Sequence, residues 1–253
     1  FEGFFFDDLE DLFIGFQNGL EILDPFFQFF HFFFELMDLK ARQFQEAIEA
    51  FKLFHDKHPE AAMFFHSQQQ TPGGFPILQL VRQLEIGDRC FFYDNYLSQF
   101  GSRSHQVAEQ MNMFDVLMHP SQTEGFGLTI IEAASCGIPA IVNNTTSMPE
   151  LVIPGKTGEI CKTDRHRFTP DASWVWTANV DDLYLQMEKL YATLHQPNII
   201  AENCRKHIIE NYNIDTLVKD RWIPLLTELQ EELLPKILTN SLQQDKIQSP
   251  TTV

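Results

Sequence analysis

Short apolar runs alternate with amphipathic stretches along most of the chain from residue 29 onward. The apolar runs predict strands at 29–37, 61–65, 89–93, 114–119, 139–143 and, as the last strand, 158–161. Between them, apolar residues recur at helical spacing, which predicts helices at 42–58, 75–84, 106–113, 127–135, 180–194 and 198–211. This alternation is typical of the α/β class, in which a doubly wound, Rossmann-like parallel sheet has helices on both faces.

Proline and glycine set several of the predicted boundaries. Pro59 ends the first helix, and Gly137 follows the helix at 127–135 as a residue suited to its carboxyl-terminal cap. A long helix is predicted at 214–238 with an interruption near Pro224, and the polar tail at 239–253 is predicted to be disordered. We therefore expect one folded domain over residues 31–238.

The first 36 residues have a composition unlike that of an ordinary strand core. No lysine or arginine precedes Lys40, whereas nine acidic residues do, and about half of the 25 phenylalanines lie in this stretch. Three interpretations are open: an interface covered by a protein partner or a second domain, an altered or poorly determined sequence, and an acidic aromatic segment that inserts into a membrane. We therefore treat residues 1–30 as an atypical segment or linker and assign no chemistry to them.

The overall charge narrows the classes of partner. The 253 residues have a net charge of −17 and an isoelectric point near 4.8, which argues against nucleic acid or an anionic membrane as a whole-surface partner. The start has no basic signal-peptide region, no apolar run is long enough to span a bilayer, and the four cysteines are scattered. We therefore expect a cytoplasmic protein with reduced thiols and no metal site, since no histidine stands at metal-ligand spacing.

One segment combines the features of a ligand-binding loop. A buried strand at 114–118 leads into a loop with Glu124, Gly125 and Gly127, and the next helix contains Glu132. The glycines let the backbone approach a ligand closely, and the first turn of the helix favours an anion. The two carboxylates can therefore reach different parts of one ligand, and a sugar nucleotide fits this arrangement.

This segment resembles the E-x7-E signature of the retaining glycosyltransferases of family 4, which have the two-domain GT-B fold. Further landmarks of the family follow in order at 136–141, 147–152 and 155–158. The stretch 18–26 is similar to the family's crossover between its two domains. The resemblance covers roughly residues 14–235, and it implies the C-terminal, donor-binding half of a GT-B enzyme.

The resemblance also implies roles for residues around the loop. Glu124 would be catalytic, binding hydroxyls of the transferred sugar and stabilising charge in the transition state, and Glu132 would bind the ribose hydroxyls. Without the resemblance, each would be an ordinary helix or loop carboxylate. The sugar and the distal phosphate would be bound by backbone N–H groups of Gly125, Phe126, Gly127, Leu128 and Thr129. His119, at the end of the preceding strand, would contact donor or acceptor or serve the structure alone.

Two further parts of the donor site follow from the same resemblance. The cation beside the donor diphosphate corresponds to Lys40 or Arg42, although nothing here matches the Gly-Arg pair that usually precedes it. The nucleobase site corresponds to Tyr93 and Asp94, which otherwise belong to an ordinary polar loop. The nucleotide sugar is a co-substrate, and no cofactor or metal is implied.

The predicted function is retaining transfer of a sugar from a nucleotide sugar to an unidentified acceptor. The first 30 residues leave no room for the acceptor-binding domain of the family, so we expect the isolated chain to bind a nucleotide sugar weakly without transferring it. The alternative is a non-catalytic nucleotide-sugar-binding or scaffold module that needs a separate acceptor domain. A nucleotide-sugar epimerase on the same fold is a third hypothesis, and it fits the order of landmarks less well.

Overall fold

The computed structural model describes residues 31–35, 44–66, 75–92, 103–170, 172–194, 199–233 and 236. Within these ranges a six-stranded sheet forms the centre of the fold. Its strands are β1 (His31–Glu35), β2 (Ala62–His66), β3 (Cys90–Phe92), β4 (Val116–His119), β5 (Ala140–Asn143) and β6 (Gly158–Cys161). They lie in the order β3-β2-β1-β4-β5-β6, and every neighbouring pair is parallel. The predicted parallel α/β sheet is confirmed.

Helices connect the strands and pack on both faces of the sheet. The helices are α1 (Phe44–His55), α2 (Ile77–Gln83), α3 (Ser104–Met111), α4 (Leu128–Ser135), α5 (Met148–Leu151), α6 (Val180–Leu194), α7 (Ile199–Tyr212) and α8 (Ile214–Leu217). The bounds of α1 to α4, α6 and α7 agree with the predicted helices to within a few residues, and those of α6 agree fully. The short α5 begins where the sequence has Ser147 before Met148 and Pro149, and proline is compatible with a first helical turn.

The sheet separates two apolar cores, because successive side chains of a strand point to opposite faces. On one face Met63 and Phe65 of β2 pack with α1 and α6. On the other face Phe64 packs with Leu117 of β4 and Ile130 of α4. All four residues of β4 and of β5 are buried, as expected for strands covered on both sides. This places β4 rigidly beneath the loop that follows it.

The approach of β6 to β5 depends on a glycine. Gly158 pairs with Ala140 and has a φ of +153°, and a Cβ at this position would lie 2.0 Å from the carbonyl oxygen of Ala140. No side chain fits at that distance, so only glycine allows the two strands to pair here.

The prediction that 158–161 is the last strand is wrong. An antiparallel ribbon follows, formed by β7 (Thr163–Phe168) and β8 (Trp174–Ala178). In β8 the buried Val175 lies between two exposed tryptophans, and it faces Arg167 of β7. The ribbon comes directly after β6 and therefore starts at the carboxyl edge of the large sheet.

The predicted interruption near Pro224 takes the form of a wide turn. Residues Val218–Trp222 form a π-helical segment between α8 and a helical stretch at 223–233. Proline has no N–H to donate to the carbonyl four residues earlier, and the wider turn accommodates that loss without ending the helix. The predicted end of this helix at 238, the tail at 239–253 and the segment at 1–30 lie outside the described residues.

The cysteines behave as ordinary core thiols. All four are unpaired, and Cys90, Cys161 and Cys204 are buried. Burial raises the pKa of each of these three thiols to about 12, so they stay protonated at neutral pH. Within the described ranges, no helix is long and apolar enough to cross a bilayer.

Candidate active site

The candidate site lies where the order of the strands reverses. The chain runs from β1 outward to β3 on one side of the sheet and from β4 outward to β6 on the other. In open α/β sheets, ligands bind at the carboxyl ends of the strands next to such a switch point. The loop at 120–127, which joins β4 to α4, begins at this edge and contains Glu124.

The loop folds back so that Glu124 meets the last residue of β4. The Nε2 atom of His119 lies 2.8 Å from Oε1 of Glu124, with the imidazole buried and the carboxylate half-buried. The hydrogen bond to His119 holds the pKa of the Glu124 carboxyl below its usual range, and the Ser121 hydroxyl contributes in the same direction. An ionised carboxylate only accepts hydrogen bonds, so Glu124 is the acceptor in this contact.

The backbone of the loop is anchored by the segment that follows β5. The N–H of Glu124 donates to Oγ1 of Thr146 at 3.0 Å. The Ser147 hydroxyl donates to the carbonyl oxygen of Phe126 at 2.9 Å, with the Glu124 carbonyl 3.2 Å away as a second acceptor. Thr146 has a φ of +52°, an unfavourable conformation for a β-branched residue. The strained Thr146 therefore helps to fix the position of the Glu124 backbone.

The two glycines of the loop have different structural requirements. Gly127 has a φ of +100°, and a Cβ there would lie 2.9 Å from the side chains of both Ile130 and Leu151. Gly125 is exposed, and a Cβ there would meet nothing within 4 Å. Neither packing nor a left-handed φ explains the glycine at 125, and close approach of a ligand to its backbone would explain it.

Helix α4 places Glu132 on the exposed side of the same structure. Thr129, Ile130, Ala133 and Ala134 are buried, whereas Leu128 and Glu132, four residues apart, are exposed and share one face. Side chains of a helix tilt toward its N-terminus, so Glu132 extends back toward the end of the helix that adjoins the loop. The first-turn N–H groups of Leu128 and Thr129 have no intrahelical acceptor, which makes this end suitable for an anion.

A buried amide beneath the loop links it to the ribbon. Nδ2 of Asn143, the last residue of β5, donates to the carbonyl of Ser121 at 3.1 Å and has the carbonyl of Trp176 at 3.4 Å. From the ribbon, Nη2 of Arg167 donates to Oε1 of the buried Gln122 at 3.1 Å. The loop is therefore held between the end of β5 and the ribbon.

Two buried polar atoms at this edge have no hydrogen-bond partner among the described residues. They are Nδ1 of His119 and Oδ1 of Asn143, at the ends of the adjacent strands β4 and β5. A buried polar atom without a partner costs about 1–3 kcal/mol, and a polar molecule at this edge would satisfy both atoms. Their position agrees with a polar ligand or ordered water at this edge of the sheet.

The structure places seven of the predicted site residues together: Glu124, Gly125, Phe126, Gly127, Leu128, Thr129 and Glu132. Lys40, Arg42, Tyr93 and Asp94 lie outside the described residues, so their predicted roles stay predictions. Among the described residues, no group of three or more histidine, cysteine, aspartate or glutamate side chains could hold a metal ion. A cavity of about 260 Å³ at the junction of α7 and α8 is lined by none of the predicted site residues.

Sequence reasoning did not assign roles to four residues that the structure brings to this site. They are Gln122, Asn143, Thr146 and Arg167. Asn143 carries a usable signal, since a polar residue ends a buried strand. The contacts of Thr146 and Arg167 join residues 22 and 45 positions apart, and no local pattern reports such pairs. His119 is a candidate site residue from the sequence, and the structure shows that its partner is Glu124.

Comparison with known proteins identifies the family. Residues 39–168, about half of the chain, match the family described as glycosyl transferases group 1, and the chain belongs to this family. A stretch of 142 residues is 30% identical to N-acetyl-alpha-D-glucosaminyl L-malate synthase of Bacillus anthracis, covering 56% of this chain and 32% of that protein. O-antigen chain mannosyltransferase B of Escherichia coli is 31% identical over 97 residues, 38% of this chain and 24% of its own length. The chain thus spans about a third or less of these two relatives.

Solved structures of glycosyltransferases have the same architecture. The C-terminal domain of a glycosyl transferase group 1 protein (LpcC) from Francisella tularensis superposes with a TM-score of 0.58 at 18% identity, covering 73% of this chain and 87% of that domain. Anabaena HepE in complex with UDP and glucose gives a TM-score of 0.62 at 17% identity, covering 84% of this chain and 51% of that one. At these identities the likeness shows the fold: a Rossmann-like α/β domain of the kind found in GT-B glycosyltransferases.

Proposed function

We propose that this chain is the C-terminal, donor-binding half of a retaining GT-B glycosyltransferase that uses a nucleotide sugar and acts in the cytoplasm. The observation that carries the proposal is the pair formed by His119 and Glu124, 2.8 Å apart at the switch point of the sheet. This pair holds an ionised carboxylate at the carboxyl end of β4, in front of the N-terminus of α4. A sugar ring and an adjoining diphosphate need these two features side by side.

The charge state of Glu124 limits the chemistry it can perform. Because its pKa is held below the usual range, Glu124 is ionised at neutral pH and has no proton to give a leaving group. Its role is to accept hydrogen bonds from hydroxyls of the donor sugar and to stabilise positive charge that develops at the anomeric carbon. No protein nucleophile is required, since the acceptor hydroxyl attacks on the face that the diphosphate leaves.

The leaving group is bound by α4 and the loop before it. The free N–H groups of the first turn and the backbone of Gly125 bind the diphosphate, whose charge is favoured at a helix N-terminus. Glu132, on the same exposed face as Leu128, binds the ribose hydroxyls. Lys40 or Arg42 supplies the cation beside the phosphates, and Tyr93 with Asp94 receives the nucleobase. In this assignment the two glutamates are those of the family's E-x7-E signature.

The donor class is supported by the names of related proteins. HepE was solved with UDP and glucose, and the pneumococcal O-GlcNAc transferase GtfA with UDP and GlcNAc. The mannosyltransferase and the L-malate synthase indicate that family members serve different sugars and acceptors. We therefore extend to this chain the nucleotide-sugar class and leave the sugar and the acceptor to experiment.

A thermal-shift screen with uridine, guanosine and adenosine diphosphates and their common sugar conjugates tests the donor class. One nucleotide series is expected to raise the melting temperature of the wild-type chain, because a ligand that binds only the folded state stabilises it. Stabilisation by none of them would contradict the proposal. Binding without hydrolysis or transfer, even after an acceptor-binding domain is added, would instead identify a non-catalytic nucleotide-sugar-binding module. In a product formed from an α-linked donor, an α-configured anomeric proton signal in NMR would establish retention.

A further inference from the structure

The ribbon formed by β7 and β8 has one face made of aromatic rings. His166 lies opposite Trp176, and Phe168 opposite Trp174, so all four side chains share a face. The rings are in contact: His166 with both tryptophans at centroid distances of 4.9 and 4.8 Å, and Phe168 with Trp174 at 5.2 Å. Phe168 and Trp174 are each 58% exposed, and Trp176 is 38% exposed. This aromatic face therefore presents flat rings to solvent.

The opposite face of the ribbon is attached to the candidate active site. Arg167 and Val175 lie on this opposite face. Arg167 donates a hydrogen bond to Gln122 of the site loop, and Val175 is buried. Asn143 bonds the loop at the carbonyl of Ser121 and lies within 3.4 Å of the carbonyl of Trp176. The ribbon is thus fixed beside the site loop at the carboxyl edge of the sheet, and its aromatic face is turned away from these anchors.

The size of the aromatic face indicates which class of ligand it can bind. With 150–250 Å² per aromatic side chain, the exposed parts of Phe168, Trp174 and Trp176 amount to roughly 300 Å². Each partner in a stable protein interface contributes about 800 Å². The aromatic rings by themselves supply less than half of the surface that a stable protein interface needs, and they are large enough to cover one or a few sugar rings.

The chemistry of the face also favours carbohydrate. One side of a pyranose ring presents C–H groups, which pack on the electron-rich face of an aromatic ring, while its hydroxyls remain in water. A net charge of −17 disfavours nucleic acid, whose bases also stack on such rings. A sugar therefore fits both the flat shape of the rings and their solvent exposure.

We propose that the aromatic face of the β7–β8 ribbon is a carbohydrate-binding surface that holds sugar rings of the acceptor beside the donor site. The proposal rests on the proposed function, since it makes the acceptor a glycan or a glycan-bearing molecule. Stacking on Trp174 and Phe168 holds sugar rings of the acceptor on the face of the ribbon opposite its anchors, and those anchors fix the position of the ribbon relative to the site loop. The ribbon residues bind and position substrate and take no part in bond breaking.

Tryptophan fluorescence gives a direct test, because two of the three tryptophans lie on this face. In the full 253-residue chain with Trp222→Phe, all remaining tryptophan signal comes from Trp174 and Trp176. Tetrasaccharides of mannose, α-linked glucose, β-linked glucose and N-acetylglucosamine serve as probes, together with a glycan array. At least one glycan is expected to change the emission with a saturating titration, and UDP is expected not to compete with it.

A matched pair of variants locates the binding. Trp174→Ala is expected to weaken glycan binding at least tenfold. Trp222→Ala, which removes a tryptophan of similar exposure from the C-terminal helical region, is expected to leave it unchanged. Both variants should keep the far-UV circular dichroism and the melting temperature of the wild type. Trp174→Ala should also keep its nucleotide affinity, which a general loss of structure would not allow.

Four results would overturn the proposal. The first three are the absence of binding to every glycan probe, equal effects of Trp174→Ala and Trp222→Ala, and a change in sedimentation on Trp174→Ala that reveals a contact between copies of the chain. Competition between the glycan and a UDP-sugar would also overturn it, because the face would then bind the donor. If no glycan binds but nucleotides still do, the proposed function is unaffected. If a glycan binds but no nucleotide does, the chain is a carbohydrate-binding module and the proposed function is wrong.

Discussion

Nε2 of His119 lies 2.8 Å from Oε1 of Glu124, which joins the last residue of a buried strand to a carboxylate in the loop that follows it. The contact depends on the whole sheet, because β4 is buried on both faces and fixes the imidazole. The backbone of Glu124 is fixed separately by Thr146. The carboxylate is therefore preorganised by two independent parts of the fold, as a group that stabilises transition-state charge must be.

Replacing His119 is expected to raise the pKa of Glu124. His119→Phe keeps an aromatic ring in the buried position and removes the hydrogen bond that lowers the Glu124 pKa most, so burial, opposed only by the Ser121 hydroxyl, then raises that pKa. A carboxyl titration by ¹³C NMR, with Glu124→Gln to assign the signal, measures the change. An unchanged Glu124 pKa would contradict the account of this pair.

The same shift predicts how stability depends on pH. The pKa of Glu124 is lower in the folded than in the unfolded chain, so its contribution is present above the unfolded pKa of about 4.3 and is lost as pH falls through the folded value. The free energy of unfolding, measured by urea titration from pH 7 to pH 3, should fall more steeply in wild type than in Glu124→Gln. Parallel pH profiles for the two proteins would contradict this prediction.

Substitutions of the two loop glycines are expected to affect different properties, the free energy of unfolding at one position and ligand binding at the other. Gly127→Ala is expected to cost roughly 2 kcal/mol or more in the free energy of unfolding, because φ is positive and the new Cβ collides with Ile130 and Leu151. Gly125→Ala meets no neighbour and should leave the melting temperature unchanged while weakening nucleotide-sugar binding. Equal nucleotide affinity in Gly125→Ala and wild type would remove this glycine from the donor site.

Gly158 provides a test of the fold that is independent of the ligand. Gly158→Ala places a Cβ 2.0 Å from the Ala140 carbonyl oxygen. It should lower the free energy of unfolding by about 4 kcal/mol or more, as the most severe substitutions in a protein core do. Gly155→Ala is the control: its φ is +72° with open space around it, so only the backbone cost of about 1–2 kcal/mol applies. Chemical denaturation of both variants measures the difference, and similar costs would contradict the close pairing of β5 and β6.

The strands and helices of the large sheet could be predicted from the sequence, because each has a local pattern of apolar and polar residues. The apolar run at 158–161 and the helical spacing at 180–194 match β6 and α6 residue for residue. The ribbon has no such pattern, because 163–168 is polar up to Phe168 and the apolar residues at 174–176 are consecutive. The tryptophans of this ribbon are exposed and pack against no core. A prediction based on apolar residues that share a buried face therefore does not find the ribbon.

The candidate site was predicted in part for the same reason. Glu124, Glu132 and the glycines belong to one continuous segment, so their proximity follows from local structure. The partner of Glu124 and the anchors of its loop come from other strands, and the pairing of His119 depends on how the loop folds back onto β4. Such tertiary contacts have no local signature in one sequence.

The proposed function depends on binding of a nucleotide sugar to the β4–α4 segment through its two glutamates. Isothermal titration of the best nucleotide from the thermal screen into wild type, Glu132→Ala and Glu124→Gln tests it most directly, with Glu228→Ala as an exposed helical glutamate control. Glu132→Ala is expected to lose about 1.5–3 kcal/mol of nucleotide binding, the worth of a hydrogen bond to a charged group. Glu124→Gln should bind the nucleotide almost as wild type does and lower the transfer measured with an added acceptor-binding domain, and Glu228→Ala should be unaffected. Equal nucleotide affinity in wild type and Glu132→Ala would contradict the proposed binding.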